Sequence, residues 1–186
     1  MPNPEHERFK KIDAAFRAGD LAALRAAVED PAVVPNGAAM PLAIGLCLEY
    51  AIYHSPVAFI RTLLEIGANP NPERGDHIGF PPLIAALACS RSQPGSPARP
   101  DVLDIMKLLL KFGADPNQRG INDYTPLHMA VTEHNLAAVR LLLDAGADPE
   151  LRTRVDEYET PREMAVKARL DEFAEVLGAG REKRRS

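Results

Sequence analysis

The sequence predicts an all-α solenoid of about five helix-turn-helix units, and three recurring features predict it. A punctuation recurs as Gly67-Ala68-Asn69-Pro70-Asn71, Gly113-Ala114-Asp115-Pro116-Asn117 and Gly146-Ala147-Asp148-Pro149-Glu150. Each copy follows an apolar run: Leu63-Leu64, Leu108-Leu109-Leu110 and Leu141-Leu142-Leu143. A helix-start signature opens the units. It reads Thr125-Pro126-Leu127-His128-Met129-Ala130 in full, Pro81-Pro82-Leu83-Ile84-Ala85-Ala86 and Met40-Pro41-Leu42-Ala43 in part, and Thr160-Pro161-Arg162-Glu163-Met164-Ala165 in the last unit. Whole-unit self-similarity of this kind marks a stack of identical supersecondary units.

Each element has a local cause. A threonine hydroxyl at position 125 or 160 caps orphan amides, and proline at the first helical position loses no intrahelical bond. The pattern then gives a short helix over 126–132 and a longer one over 136–145, ended by Gly146 in the left-handed conformation. The last two punctuations lie 33 residues apart and the first two 46 apart, so one unit carries an insertion of about 13. It lies between Ala88 and Asp101, where three prolines and a glycine forbid helix and the chain should bulge from the stack as a loop. In the second unit, helix is expected over 46–53, making its first helix about a turn longer than usual, with a turn at His54-Ser55-Pro56 and a second helix over 57–66. Tyr50 and Tyr53 then lie one turn apart, and packing against the first unit is expected of them. The first unit keeps Phe16-Arg17-Ala18-Gly19-Asp20-Leu21, and the last ends in Gly178-Ala179-Gly180; both are degenerate, as terminal caps are. One domain over 1–180 results, with approximate units 5–37, 38–75, 76–119, 120–152 and 153–180, followed by a basic tail over 181–186.

A single unit cannot bury both of its helix faces, so the units must stack. Ala43, Ala85, Ala86 and Ala130 on the first helices allow close approach, while leucines on the second helices fill the space behind. Ala130→Leu should therefore overpack the stack.

Composition narrows the function. Hydrophobic residues make up 46% and charged residues 26%, typical of an ordered soluble chain, and charges or prolines interrupt every apolar run before membrane-spanning length. The first residues lack a basic segment followed by an apolar stretch, which points to the cytoplasm. Cys47 and Cys89 lie in apolar helical surroundings and read as buried thiols. Net charge is −4, of which the last six residues contribute +3, leaving −7 on the body and disfavouring a nucleic-acid backbone as partner. His6, His54, His77, His128 and His134 form no pair at metal-site spacing, and no phosphate loop, nucleophile elbow or Cys/His pair in a catalytic context occurs. The chain reads as a non-enzyme with no metal and no cofactor.

These units resemble the ankyrin repeat, a β-turn followed by two antiparallel helices with the signature Thr-Pro-Leu-His. The match is strongest over 120–152, good over 76–119 despite the insertion, and fair over 39–73. The resemblance implies that His128 hydrogen-bonds within the loop network between adjacent repeats. It also implies that the turns project as short β-turn or hairpin fingers beside the first helices, lining a concave surface that grips another protein. The fingers here are 76–80, 120–124 and 153–159. The candidate partner-binding residues are His77, Ile78, Phe80, Ile121, Asn122, Tyr124, Thr132, Glu133, Arg154, Val155 and Tyr158. Phe80 and Tyr124 precede the helix starts at equivalent positions, either as interface anchors or folded back over the loop stack. The expected function is an adaptor or inhibitor-type binder, monomeric by itself, whose partner is a protein and neither nucleic acid nor membrane. A self-associating scaffold and an accessory small-ligand module are the alternatives.

Overall fold

A computed structural model describes residues 3–38, 45–73, 79–91, 98–120, 123–154 and 157–183, with backbone alone from 180. The described residues form ten α-helices and one 3-10 turn, Pro31–Val33. They pair as α1 (Pro4–Ala18) with α2 (Leu21–Ala27), α3 (Cys47–His54) with α4 (Val57–Glu65), and α5 (Pro82–Ala88) with α6 (Val102–Lys111). α7 (Pro126–Thr132) pairs with α8 (Leu136–Asp144), and α9 (Pro161–Lys167) with α10 (Asp171–Lys183). The first helices of the pairs, α1, α3, α5, α7 and α9, stack in one layer, and α4, α6, α8 and α10 stack in the other. No strand occurs among the described residues. Two fingers are closed instead by backbone bonds, Gly120 N–H to Tyr124 O at 2.8 Å and Thr153 N–H to Glu159 O at 3.0 Å.

The helix ends follow the sequence. Asp20 and Asn135 accept the Ala23 and Ala138 amides and start α2 and α8. Thr160 and Glu163 form a reciprocal capping box at α9. The glycine of the punctuation stops the second helix; Gly113 does so after α6 at φ +88°, a conformation that a side chain strains.

Packing repeats with the same period. Ala51, Ala86, Ala130 and Ala165 occupy one position of the inner layer, and Leu63, Leu109, Leu142 and Leu177 one position of the outer layer; all are fully buried. The alanines set how closely the layers approach, so the extra carbons of Ala130→Leu have no space to enter. We expect this substitution to cost about 1–3 kcal/mol, read as a lowered urea midpoint with an unchanged slope.

The loops between units add a ladder of asparagines. Asn36 bridges Gly67 O (2.9 Å) and Asn69 N–H (2.7 Å). Asn71 bridges Gly113 O (2.7 Å) and Asp115 N–H (2.6 Å) one unit on. Asn117 accepts from Asp148 N–H at 2.7 Å. Each amide thereby satisfies backbone groups that the left-handed turn leaves open, and fixes the spacing of successive units.

Two expectations change. The first helix of the second unit spans Cys47–His54 and is not about a turn longer than its counterparts. Gly45 at φ +105° and the extended Leu46 prevent helix from running back beyond Cys47. Leu46-Cys47-Leu48-Glu49-Tyr50-Ala51 is thus the counterpart of Thr125–Ala130, and residues 40–43 of the expected start lie outside the described residues. At the other end, α10 does not stop at Gly178-Ala179-Gly180 but continues to Lys183. Helical packing of Phe173, Ala174 and Leu177 outweighs the roughly 1 kcal/mol that each helical glycine costs.

Tyr50 packs on the first unit as expected. Its ring lies 4.8 Å from that of Phe16, and its hydroxyl donates to Asp13 at 2.7 Å. Tyr53 bonds within its own helix, donating to Glu49 at 3.3 Å.

Candidate functional site

The fingers are held by the third residue of the inner helix in the preceding unit. His128 is fully buried, and its Nε2 lies 3.0 Å from Glu159 O in the next finger. A carbonyl can only accept, so Nε2 carries the proton and Nδ1 accepts from the Thr125 N–H (3.2 Å) and hydroxyl (2.8 Å). Burial holds the imidazole near a pKa of about 4, neutral in this network. Glu49 occupies the same helical position in the second unit. Its Oε1 accepts the Phe80 N–H at 2.8 Å, and Phe80 is the counterpart of Glu159. Its Oε2 is buried without a hydrogen-bond partner, and burial raises the carboxyl pKa. Gly79 lies against this carboxylate so closely that a Cβ would collide with it. One position therefore does one job with two opposite chemistries, donating to a carbonyl or accepting from an amide.

Gly79, Asp123 and Tyr158 share another position, three residues before the proline that starts each inner helix. Asp123 and Tyr158 both have positive φ, +60° and +56°. Asp123 is buried and accepts from Arg119 at 2.7 Å. Tyr158 is 61% exposed, with the Arg152 guanidinium 5.7 Å from its ring centroid. Arg119 and Arg152 are themselves equivalent. Arg119 donates to Asp123 O and on to Arg152 O, both at 2.9 Å. Arg152 donates to Tyr158 O at 2.9 Å and forks onto Glu163 at 2.7 and 2.8 Å. Beside them Arg154 projects outward with its side chain 75% exposed, 3.7 Å from Asp123. Lys167 of α9 reaches back to the Glu157 and Glu159 carboxylates.

A model of ankyrin repeats, in three copies, matches residues 98–183. The helix pairs, buried alanines and asparagine ladder before residue 98 continue the same unit. The chain carries ankyrin repeats. It is 45% identical over 51 residues to an ankyrin repeat-containing protein of Treponema pallidum (strain Nichols), covering 27% of this chain and 17% of that one. It is 34% identical over 85 residues to the human ankyrin repeat and SOCS box protein 16, covering 46% and 17%. The mouse protein phosphatase 1 regulatory subunit 27 is 44% identical over 46 residues, covering 25% and 30%. The chain therefore matches less than a third of the length of each. Ankyrin repeats in general are modules that bind proteins rather than enzymes. Among the described residues no three His, Cys, Asp or Glu side chains are grouped to hold a metal ion, and no helix is long and apolar enough to cross a membrane.

The ankyrin fingers bring the sequence candidates together unevenly. Phe80 is half-buried and packs on the core, and Tyr124 is half-buried with its ring 5.6 Å from that of His128. Part of each ring thus serves the loop stack. Thr132 and Glu133 end α7, where Arg91 donates to Thr132 O (2.8 Å) and Glu133 (2.6 Å) and leaves the Glu133 side chain 9% exposed. Arg154 and Tyr158 are open to solvent. His77, Ile78, Ile121, Asn122 and Val155 lie outside the described residues. Sequence reasoning passed over Arg91, Arg119 and Arg152. The 33-residue interval between the last two equals the unit period and was the available signal.

Proposed function

We propose that the protein is an adaptor or inhibitor-type binder that occupies a partner protein with its fingers and inner helices, and that the finger of the last unit supplies the anchor. Tyr158 carries this reading. Its position is glycine in one finger and a buried aspartate in another, yet here it holds a large aromatic that is mostly in solvent. A bulky residue in the left-handed region costs on the order of 1 kcal/mol or more, yet among the described residues the side chain stays mostly in solvent, with Arg152 against its ring. An exposed aromatic beside arginines is the residue set that dominates binding energy at protein interfaces. Arg154 would add a charged contact next to it, with Phe80, Tyr124 and the end of α7 along the same groove. The encounter would take place in the cytoplasm, where the buried thiol of Cys47 and that of Cys89, which is half-buried rather than buried, would stay reduced.

The test is affinity capture from the native source with the parent protein and with Tyr158→Gly. Glycine relieves the backbone, so the variant should fold with a stability within about 1 kcal/mol of the parent. The partner should be retained by the parent and lost from the variant. Equal retention by both would remove this finger from the interface, and capture of further copies of the chain alone would make the protein a scaffold.

A further inference from the structure

The insertion between α5 and α6 has feet on both neighbouring units. Its ends meet where Arg99 N–H donates to Cys89 O at 2.9 Å. From one end the Arg99 guanidinium, 14% exposed, donates to Ile52 O (2.8 Å) and Ser55 O (2.9 Å), at the C-terminus of α3 in the unit before. Its remaining edge forks onto Asp101 at 2.8 and 2.7 Å, which fixes the direction of the side chain. From the other end Arg91 donates to Thr132 O and Glu133 at the C-terminus of α7 in the unit after, and Asn135 donates to Ser90 Oγ at 3.3 Å. Both arginines thus place positive charge and donors on the terminal carbonyls of a helix, where orphan acceptors and the negative end of the helix dipole favour them.

We propose that the two ends of the insertion, 89–91 and 99–101, are a strap that fastens α3 and α7 to α5, so that the three middle inner helices open together rather than one by one. In a repeat array, stability is a sum of unit and neighbour terms, and a short inner helix of seven or eight residues contributes little by itself. The strap adds charge-assisted bonds to two consecutive interfaces from a single segment. It acts on the ends of the inner helices opposite the fingers, fixing the curvature of the inner layer. This inference is independent of which partner the fingers hold.

Hydrogen exchange of the whole chain, read by mass spectrometry, tests it. In Arg99→Ala the amides of 47–54 should exchange at least about tenfold faster, the loss expected for removing charge-assisted bonds to half-buried groups. In Arg91→Ala, whose pair is more exposed, the amides of 126–133 should exchange about threefold faster or more. In the double variant both segments should open at separate rates. A variant with 92–97 exchanged for a glycine-serine segment of equal length should match the parent. If Arg99→Ala loses its helical circular dichroism, Arg91→Ala carries the test alone. Exchange within twofold of the parent in both arginine variants, or a change in the glycine-serine variant as large as theirs, would overturn the proposal.

Discussion

Phe16→Ala should detach the first helix pair from the array and cost about 3–5 kcal/mol, the range for emptying a fully buried aromatic site. Phe16 is 0% exposed and joins the first two units. Its ring lies 4.8 Å from Tyr50 of α3 and meets Phe59 of α4 edge-on at 5.9 Å. Gly19 packs on Phe59 so tightly that an added Cβ would sit 3.3 Å from the Phe59 Cβ. Each unit contacts only its neighbours, so the loss stays at one interface. Urea unfolding followed by circular dichroism should change from one transition to two, the early one with the amplitude of α1 and α2. A single transition shifted as a whole would show that the first pair is coupled more widely than the stack implies.

The second large effect is acid sensitivity through His128. Its folded pKa is lowered to about 4, against 6.5 when exposed, because burial disfavours the imidazolium. Above pH 6.5 both states are neutral there and the contribution is complete. Between pH 6.5 and 4 the unfolded chain takes up the proton and the folded chain does not, so stability falls with pH, by about 3 kcal/mol across the window. Burial lowers the His54 pKa too, with the same sign, whereas the raised pKa of Glu49 works in the opposite direction. Urea midpoints at pH 7, 5.5 and 4.5 for the parent and His128→Gln separate these contributions. The stability difference between the two proteins should shrink as the pH falls, because only the parent has this proton to gain on unfolding.

Much of this fold is legible in the sequence because its signals are local. Pro126–Thr132 was predictable to the residue, and so was the start of α8, since cap, proline and glycine act within one turn. The second unit misled because Pro41 resembles a start, while the true one, Leu46-Cys47, has neither cap nor proline. The glycines of α10 misled because a stop needs the left-handed conformation, and packing decides whether a glycine adopts it. At the site, His128 and the exposed Tyr158 fell within the motifs. Arg91 and Arg99 did not, because a guanidinium reaches acceptors 41 to 47 residues away whose placement depends on the assembled stack. Glu49 was hidden by the same misplaced start that shifted its helix.

Binding through the finger and inner-helix face would leave its mark on hydrogen exchange of the purified complex with its captured partner, compared with the chain alone. Slowed exchange is expected at 152–154 and 157–160 and in α7 and α9, with the outer helices α4, α6 and α8 unchanged. Protection confined to those outer helices would contradict binding through that face.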